Sequence, residues 1–217
     1  MRVLKIAVCT LILSAALMLC ACGGGELLNT VSDGEISFEL YGKEESLRYV
    51  VVIKDGKRLG KYKVSGERVS DSTDLGFELI DLNFDGIMDF RVKVASTEEL
   101  VYYESYLSNS DRTYYASAEL KSLASLSVDP EKGTLSGKTY ERNYEGRDSR
   151  GEYAFYVECW GEHTYQWSGG RLREIERLET VYYSETDMYC IVRYAADGNG
   201  NLEISEETWT EGAEFRN

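Results

Sequence analysis

Asp81, Asn83, Asp85 and Asp89 place four oxygen-bearing side chains within nine residues, Asp81-Leu-Asn83-Phe-Asp85-Gly86-Ile87-Met-Asp89. Calcium takes about six to eight oxygen ligands. Alternate residues of a tight loop point the same way, so Asp81, Asn83 and Asp85 present their oxygens together. Gly86 permits the sharp turn that follows without a Cβ clash. The backbone carbonyl of Ile87 supplies a further ligand, and Asp89 closes the set. Three carboxylates this close repel one another, and a divalent cation removes that repulsion. Position 12 counted from Asp81 is Val92 rather than Glu, and the flanks read as strands. The loop is therefore not an EF-hand. The plainer alternative is an Asx-turn hairpin with solvated acids. The whole pattern is much rarer than Asp-Gly alone, which favours calcium.

A second stretch, Asp197-Gly-Asn199-Gly200-Asn201-Leu202 with Glu206, matches part of the same spacing. Its first position is Ala195, which has no ligand oxygen, so a type I′ hairpin is the better reading. Other chemistry is sparse. His163 is the only histidine, and no GxSxG, HExxH or phosphate-cradling glycine loop occurs. A lone histidine beside Trp160 and Tyr165 reads as a packed or surface residue. Trp160, Trp167 and the tyrosines could stack on sugars, but sheet packing accounts for them as well. The expectation is a binding protein and not an enzyme.

The elements that must position the loop are strands. Tyr is abundant (17 residues), and Pro130 is the only proline. Glu35–Tyr41 alternates, with Ile36, Phe38 and Leu40 on one face. Leu47–Lys54 and Lys57–Val64 flank Asp55-Gly56, a hairpin signal. Leu75–Ile80 and Met88–Ala95 bracket the acidic loop. Val101–Leu107 with Tyr114–Ala116, Gly133–Tyr140, Tyr153–Trp160, His163–Trp167, Met188–Tyr194 and Leu202–Trp209 also read as strands. Ser117–Val128 is ambiguous, because Leu120, Leu123 and Ala124 have helical spacing. Leu172–Tyr183 fits either period, and its turn-separated neighbours favour a strand. The predicted class is all-β, with many short antiparallel strands in an incomplete β-propeller-like arrangement or, alternatively, a β-sandwich.

The N-terminus reads as an export signal. Arg2 and Lys5 precede an apolar run, Ile6–Leu19, too short for a comfortable membrane span. Leu19-Cys20-Ala21-Cys22 resembles the lipobox of bacterial lipoproteins, although Cys20 stands where Ala or Ser is commoner. The resemblance implies cleavage after residue 21 and an acyl anchor (palmitate or a similar chain) on Cys22 at the extracytoplasmic face of the cell membrane. Residues 22–34 then read as a tether and 35–217 as a single domain. The whole chain carries a formal charge of −14, and the leader removes two positive charges and no acid. Such acidity argues against nucleic acid and favours cations or basic proteins. Cys159 and Cys190 would remain beside Cys22; in an exported chain they form either a disulfide or two buried free thiols.

The acidic loop looks like the calcium loop of FG-GAP, or integrin-alpha-like, repeats. A wider resemblance covers roughly residues 75–180. It includes the Tyr-rich strands after the loop, a segment like Leu120–Asp129 ahead of Asp129-Pro130-Glu131-Lys132, and Tyr165-Gln-Trp167-Ser-Gly169-Gly170-Arg-Leu172. It points to a family of bacterial secreted proteins and lipoproteins with a β-propeller-like fold. Some members of that family act as periplasmic inhibitors or immunity proteins against lysozyme-like effectors. The resemblance thus implies a binding or inhibitor module whose partner is a basic, lysozyme-like hydrolase. The alternative is a calcium-dependent carbohydrate-binding or cell-envelope structural protein.

Overall fold

The computed structural model describes residues 25–44, 46–66, 75–147 and 150–212. The leader and Cys22 lie outside these. The chain divides into two compact units, Met1–Leu75 and Gly76–Asn217, rather than the single domain expected. Both are antiparallel and nearly all strand, as the composition predicts. Among the described residues no helix is long and apolar enough to cross a membrane.

The first unit is a four-stranded meander of β1 (Glu26–Asp33), β2 (Ile36–Lys43), β3 (Ser46–Lys54) and β4 (Lys57–Lys63). That order is the strand order of one propeller blade. The predicted face holds: Ile36, Phe38 and Leu40 are buried, and Phe38 and Leu40 pair across to Val52 and Val50. Asp55 and Gly56 both have positive φ (50° and 71°), the geometry of a type I′ turn. The tether expected over residues 22–34 is corrected here, because Glu26–Asp33 is a strand paired along β2. Its two-residue turn is Gly34-Glu35, with Gly34 at φ 57°. Asp33 is a paired strand residue here, unlike Asp55 in its turn, and polar Asn29, Thr30 and Ser32 mask the alternation before it.

The second unit is one ten-stranded sheet. Its strands are β5 (Phe77–Ile80), β6 (Asp89–Ser96), β7 (Val101–Ser108), β8 (Tyr114–Ala116), β9 (Ala124–Asp129), β10 (Thr134–Arg147), β11 (Tyr153–Ser168), β12 (Arg171–Tyr183), β13 (Met188–Ala196) and β14 (Leu202–Glu211). The order runs β14-β13-β12-β11-β10-β9-β7-β6-β5, with β8 beside β7. A one-turn helix, α1 (Ala118–Lys121), resolves the ambiguous segment; Ser117 caps it by accepting the Leu120 amide. Leu120 and Leu123 join Leu82, Leu107, Leu126 and Leu135 in the core.

β10 and β11 run far beyond the expected lengths, and Gly161 does not break β11 as its position suggested. A glycine inside a strand often marks close approach. A Cβ at Gly161 would collide with Thr139 Oγ1 and His163 Nε2, side chains that meet over this position. The thiols Cys159 and Cys190 are both free. Each pairs with Val181 from opposite sides, so they sit two strands apart. Their Cα atoms are then roughly 9–10 Å apart, beyond the reach of a disulfide. The bonded alternative is thereby corrected.

Candidate metal-binding loop

The loop between β5 and β6 is built by alternation. Leu82 is fully buried in the leucine core, and Phe84 packs against the same cluster. Asp81, Asn83 and Asp85 consequently turn to the other side, as the spacing predicts. Phe84 has φ 60° and Gly86 φ 80°. A left-handed phenylalanine is uncommon and persists only where packing holds it. Here the core contact of its ring does so.

The carboxylates order the loop backbone. The Asp85 amide donates to Asp81 Oδ1 (3.2 Å) and Asn83 Oδ1 (3.1 Å), and the Gly86 amide donates to Asp81 Oδ2 (2.9 Å). The Ile87 amide donates to Asp85 Oδ1 (2.8 Å), and Asn83 Nδ2 to Asp85 Oδ2 (3.1 Å). Asp89 is fully buried. Its Oδ2 accepts the Leu82 amide (2.8 Å) and its Oδ1 the Ser108 amide (2.7 Å), so it ties the loop to β7. Burial pushes the Asp89 carboxyl up to about 6; the Ser108 and Leu82 amides oppose this, and the charges of Asp85 and Asp81 add to it.

These residues fit a hard cation in kind. All the donors are oxygens, Asp81, Asn83 and Asp85 share one side, and Asp81, Asp85 and Asp89 have no ion-pair partner among the described residues. Each carboxylate oxygen that accepts one amide keeps a lone pair. The side chains turn toward loop amides rather than to one point: among the described residues, no three His, Cys, Asp or Glu side chains converge as a metal-ligating group. A bound calcium ion would neutralise the three charges. The residues able to hold it are Asp81, Asn83, Asp85, Asp89 and, through its carbonyl, Ile87.

Two supports lie far away in sequence. Trp167 on β11 donates from Nε1 to the Leu82 carbonyl (2.8 Å), and Tyr165, Trp167 and Leu172 pack on the leucine core. The Tyr165–Leu172 motif, which the sequence placed only by resemblance, thus backs the acidic loop. Tyr114 on β8 donates its hydroxyl to the Met88 carbonyl (3.2 Å). Nothing in the sequence around Tyr114 signals that role.

Asp197 does not extend the site. It accepts the Asn199 and Asn201 amides (2.8 and 2.7 Å) and closes the β13–β14 hairpin. The hairpin is as expected, but its turn type is not. The Gly200 amide donates to the Asp197 carbonyl (3.0 Å) and Gly200 takes φ 84°, whereas Gly198 and Asn199 keep ordinary φ. This is a three-residue loop ending in a left-handed glycine.

The lone histidine has partners that lie apart in sequence. His163 Nε2 lies 3.0 Å from Thr139 Oγ1, and Nδ1 lies 2.7 Å from Glu174 Oε1. This has the order of a hydroxyl–histidine–carboxylate triad. It sits on interior strands of the ten-stranded sheet, paired along both sides. Arg177 also takes both oxygens of Glu174 (2.8 and 2.8 Å). The row pins β10, β11 and β12 together. Burial pushes the Glu174 carboxyl up, but Arg177 and His163 outweigh it and hold the carboxyl below its usual range. A carboxylate with a lowered native pKa stabilises the fold above its unfolded value, and that contribution is lost as pH falls through the native one. Glu174→Gln is expected to lower stability at pH 7 and to converge with the parent protein only once the pH falls below the lowered native value of Glu174. Chemical denaturation at both pH values checks this, and an undiminished gap at low pH would refute it.

A hollow of about 290 Å³ beside this row is lined by Glu162, Glu176, Arg177, Arg193 and Tyr194. Its arginines are paired, Arg177 with Glu174 and Glu179 and Arg193 with Glu206.

No family model matches the chain, and no curated protein does. Among solved structures, a Xanthomonas type IV secretion system related protein is similar, with a TM-score of 0.52 at 15% identity over 82% of this chain and 92% of that one. At that identity the likeness shows the fold alone.

Proposed function

We propose that this chain is a lipid-anchored, extracytoplasmic binding protein of inhibitor or immunity type, whose loop 81–89 is held by calcium. The observation that supports the calcium reading best is Asp89. A fully buried carboxylate beside two further acids has no ion-pair partner among the described residues, yet it fastens the loop to β7. A cation bound by Asp81 and Asp85 would offset that charge where no side chain does. Calcium is abundant outside the cytosol, so the export signal and the loop support each other.

The binding reading rests on the acidity of the chain, which speeds encounter with basic partners, and on the resemblance to lysozyme-inhibitor lipoproteins. Purified protein with calcium is expected to suppress a basic lysozyme-like hydrolase acting on cell-wall substrate. Full hydrolase activity at a saturating excess of the protein would sink the inhibitor reading. The anchor has its own test. In bacteria expressing the full chain, Cys22→Ser is expected to move it from the membrane fraction to the soluble extracytoplasmic fraction. Continued membrane association of the variant would count against lipidation.

A further inference from the structure

β14 ends the ten-stranded sheet, so one of its edges faces no strand among those described. Natural edges are usually blunted by lysine, proline or shortness. β14 has neither lysine nor proline and spans ten residues, LEISEETWTE, with residues 203–209 all exposed. It carries four glutamates and no cation.

The register sorts these side chains by face. Glu206 and Thr208 pair with Arg193 and Ile191 on one face, whereas Glu207 and Trp209 pair with Val192 and Cys190 on the other. Past a bulge at Ser205, Glu203 continues the first face and Ile204 the second. The first face is thus lined by Glu203 and Glu206. The second carries the exposed apolar groups Ile204 (59% exposed) and Trp209 (52%), with Glu207 between them accepting the Trp209 indole N–H (2.8 Å) and Glu211 at the strand end. Glu203 has no ion-pair partner among the described residues, and Arg193 meets Glu206 only at the surface, at 3.3 Å.

We propose that this edge docks an extended segment of a partner protein in which basic and apolar residues alternate, added to the sheet as a further strand. Main-chain hydrogen bonds to β14 give the affinity, and alternate side chains give the specificity. Cations of the segment lie beside Glu203 and Glu206, and its apolar residues lie beside Ile204 and Trp209. A second copy is disfavoured, because antiparallel pairing at the centre of β14 sets Glu206 and Glu207 against glutamates. The inference deepens the binding-protein reading, on which it rests for the existence of a partner.

The test uses the mature chain with a labelled, end-blocked Lys-Val octapeptide repeat. Saturable binding is expected, together with slowed amide exchange confined to residues 202–211. A Glu-Val repeat should not bind. Glu203→Lys combined with Glu206→Lys should weaken binding at least about tenfold, with an unchanged circular dichroism spectrum. Methylating alternate amides along one edge of the peptide should abolish binding. Equal binding of the methylated peptide would mean attraction by charge alone and overturn the proposal. So would protection elsewhere in the chain, no binding, or self-association through β14. The two readings fail separately. Hydrolase inhibition that survives the double charge reversal removes the edge proposal and leaves the inhibitor reading intact. Peptide docking without any hydrolase inhibition does the reverse.

Discussion

Adding calcium to the metal-free protein is expected to raise its melting temperature by roughly 5–10 °C. A ligand at 100 times its Kd stabilises by about 2.7 kcal/mol, and a domain of this size shifts by about 2–4 °C per kcal/mol. The increment should vanish in Asp85→Ala. That side chain is exposed and serves mainly the loop backbone, accepting the Ile87 amide. Its removal should therefore change metal-free stability by no more than about 1 kcal/mol. The increment should also depend on pH. Asp89 has a native value raised to about 6 by burial, against 3.8 for the ordinary group. A raised carboxyl favours the fold when protonated, so its contribution to the metal-free protein is present below pH 3.8 and lost as pH rises through about 6. Calcium demands the ionised form. The calcium increment should accordingly be larger at pH 7.5 than at pH 5. Calorimetry without binding heat at millimolar calcium, together with a flat melting temperature, would refute the calcium reading.

Phe90→Ala is expected to produce the largest loss of stability among single substitutions near the loop. Phe90 is fully buried, and its ring lies 5.6 Å from Phe77, 4.6 Å from Tyr106 and 5.1 Å from Tyr114. Truncating such a ring removes about 3–5 kcal/mol, a melting point lower by roughly 10 °C. The damage should reach the loop. Phe90 follows Asp89 directly, and Tyr114, which packs on the ring, also holds the Met88 carbonyl. The variant should therefore bind calcium more weakly even where it remains folded. Ile204→Ala, at an exposed position on β14, should stay within about 0.5 kcal/mol. Denaturant melts of both variants decide it: a loss near 1 kcal/mol at Phe90 would show that the stack is not a core element.

Much of this was written in local sequence. The alternation of Ile36, Phe38 and Leu40 and the Asp-Gly turn at residue 55 each express short-range geometry, and each appears as expected. Strand lengths were less legible. Gly161 reads as punctuation, yet it lies inside β11, because a glycine that ends a strand and one that admits a neighbour look alike in sequence. β1 was hidden because its hydrophobic alternation is weak and its partner supplies most of the apolar face.

By itself, the sequence determined the all-β class and the alternation of the acidic loop, whose Leu82 turns inward. These follow from side-chain period, turn chemistry and charge, all of which act within about ten residues. Only the tertiary structure decided which distant groups serve the loop. Trp167 caps Leu82 across 85 positions of sequence, and Ser108 meets Asp89 across 19. It also decided that Cys159 and Cys190 stay apart, because Val181 occupies the strand between them. Sheet register sets such contacts, and register is a property of strands brought together from far along the chain.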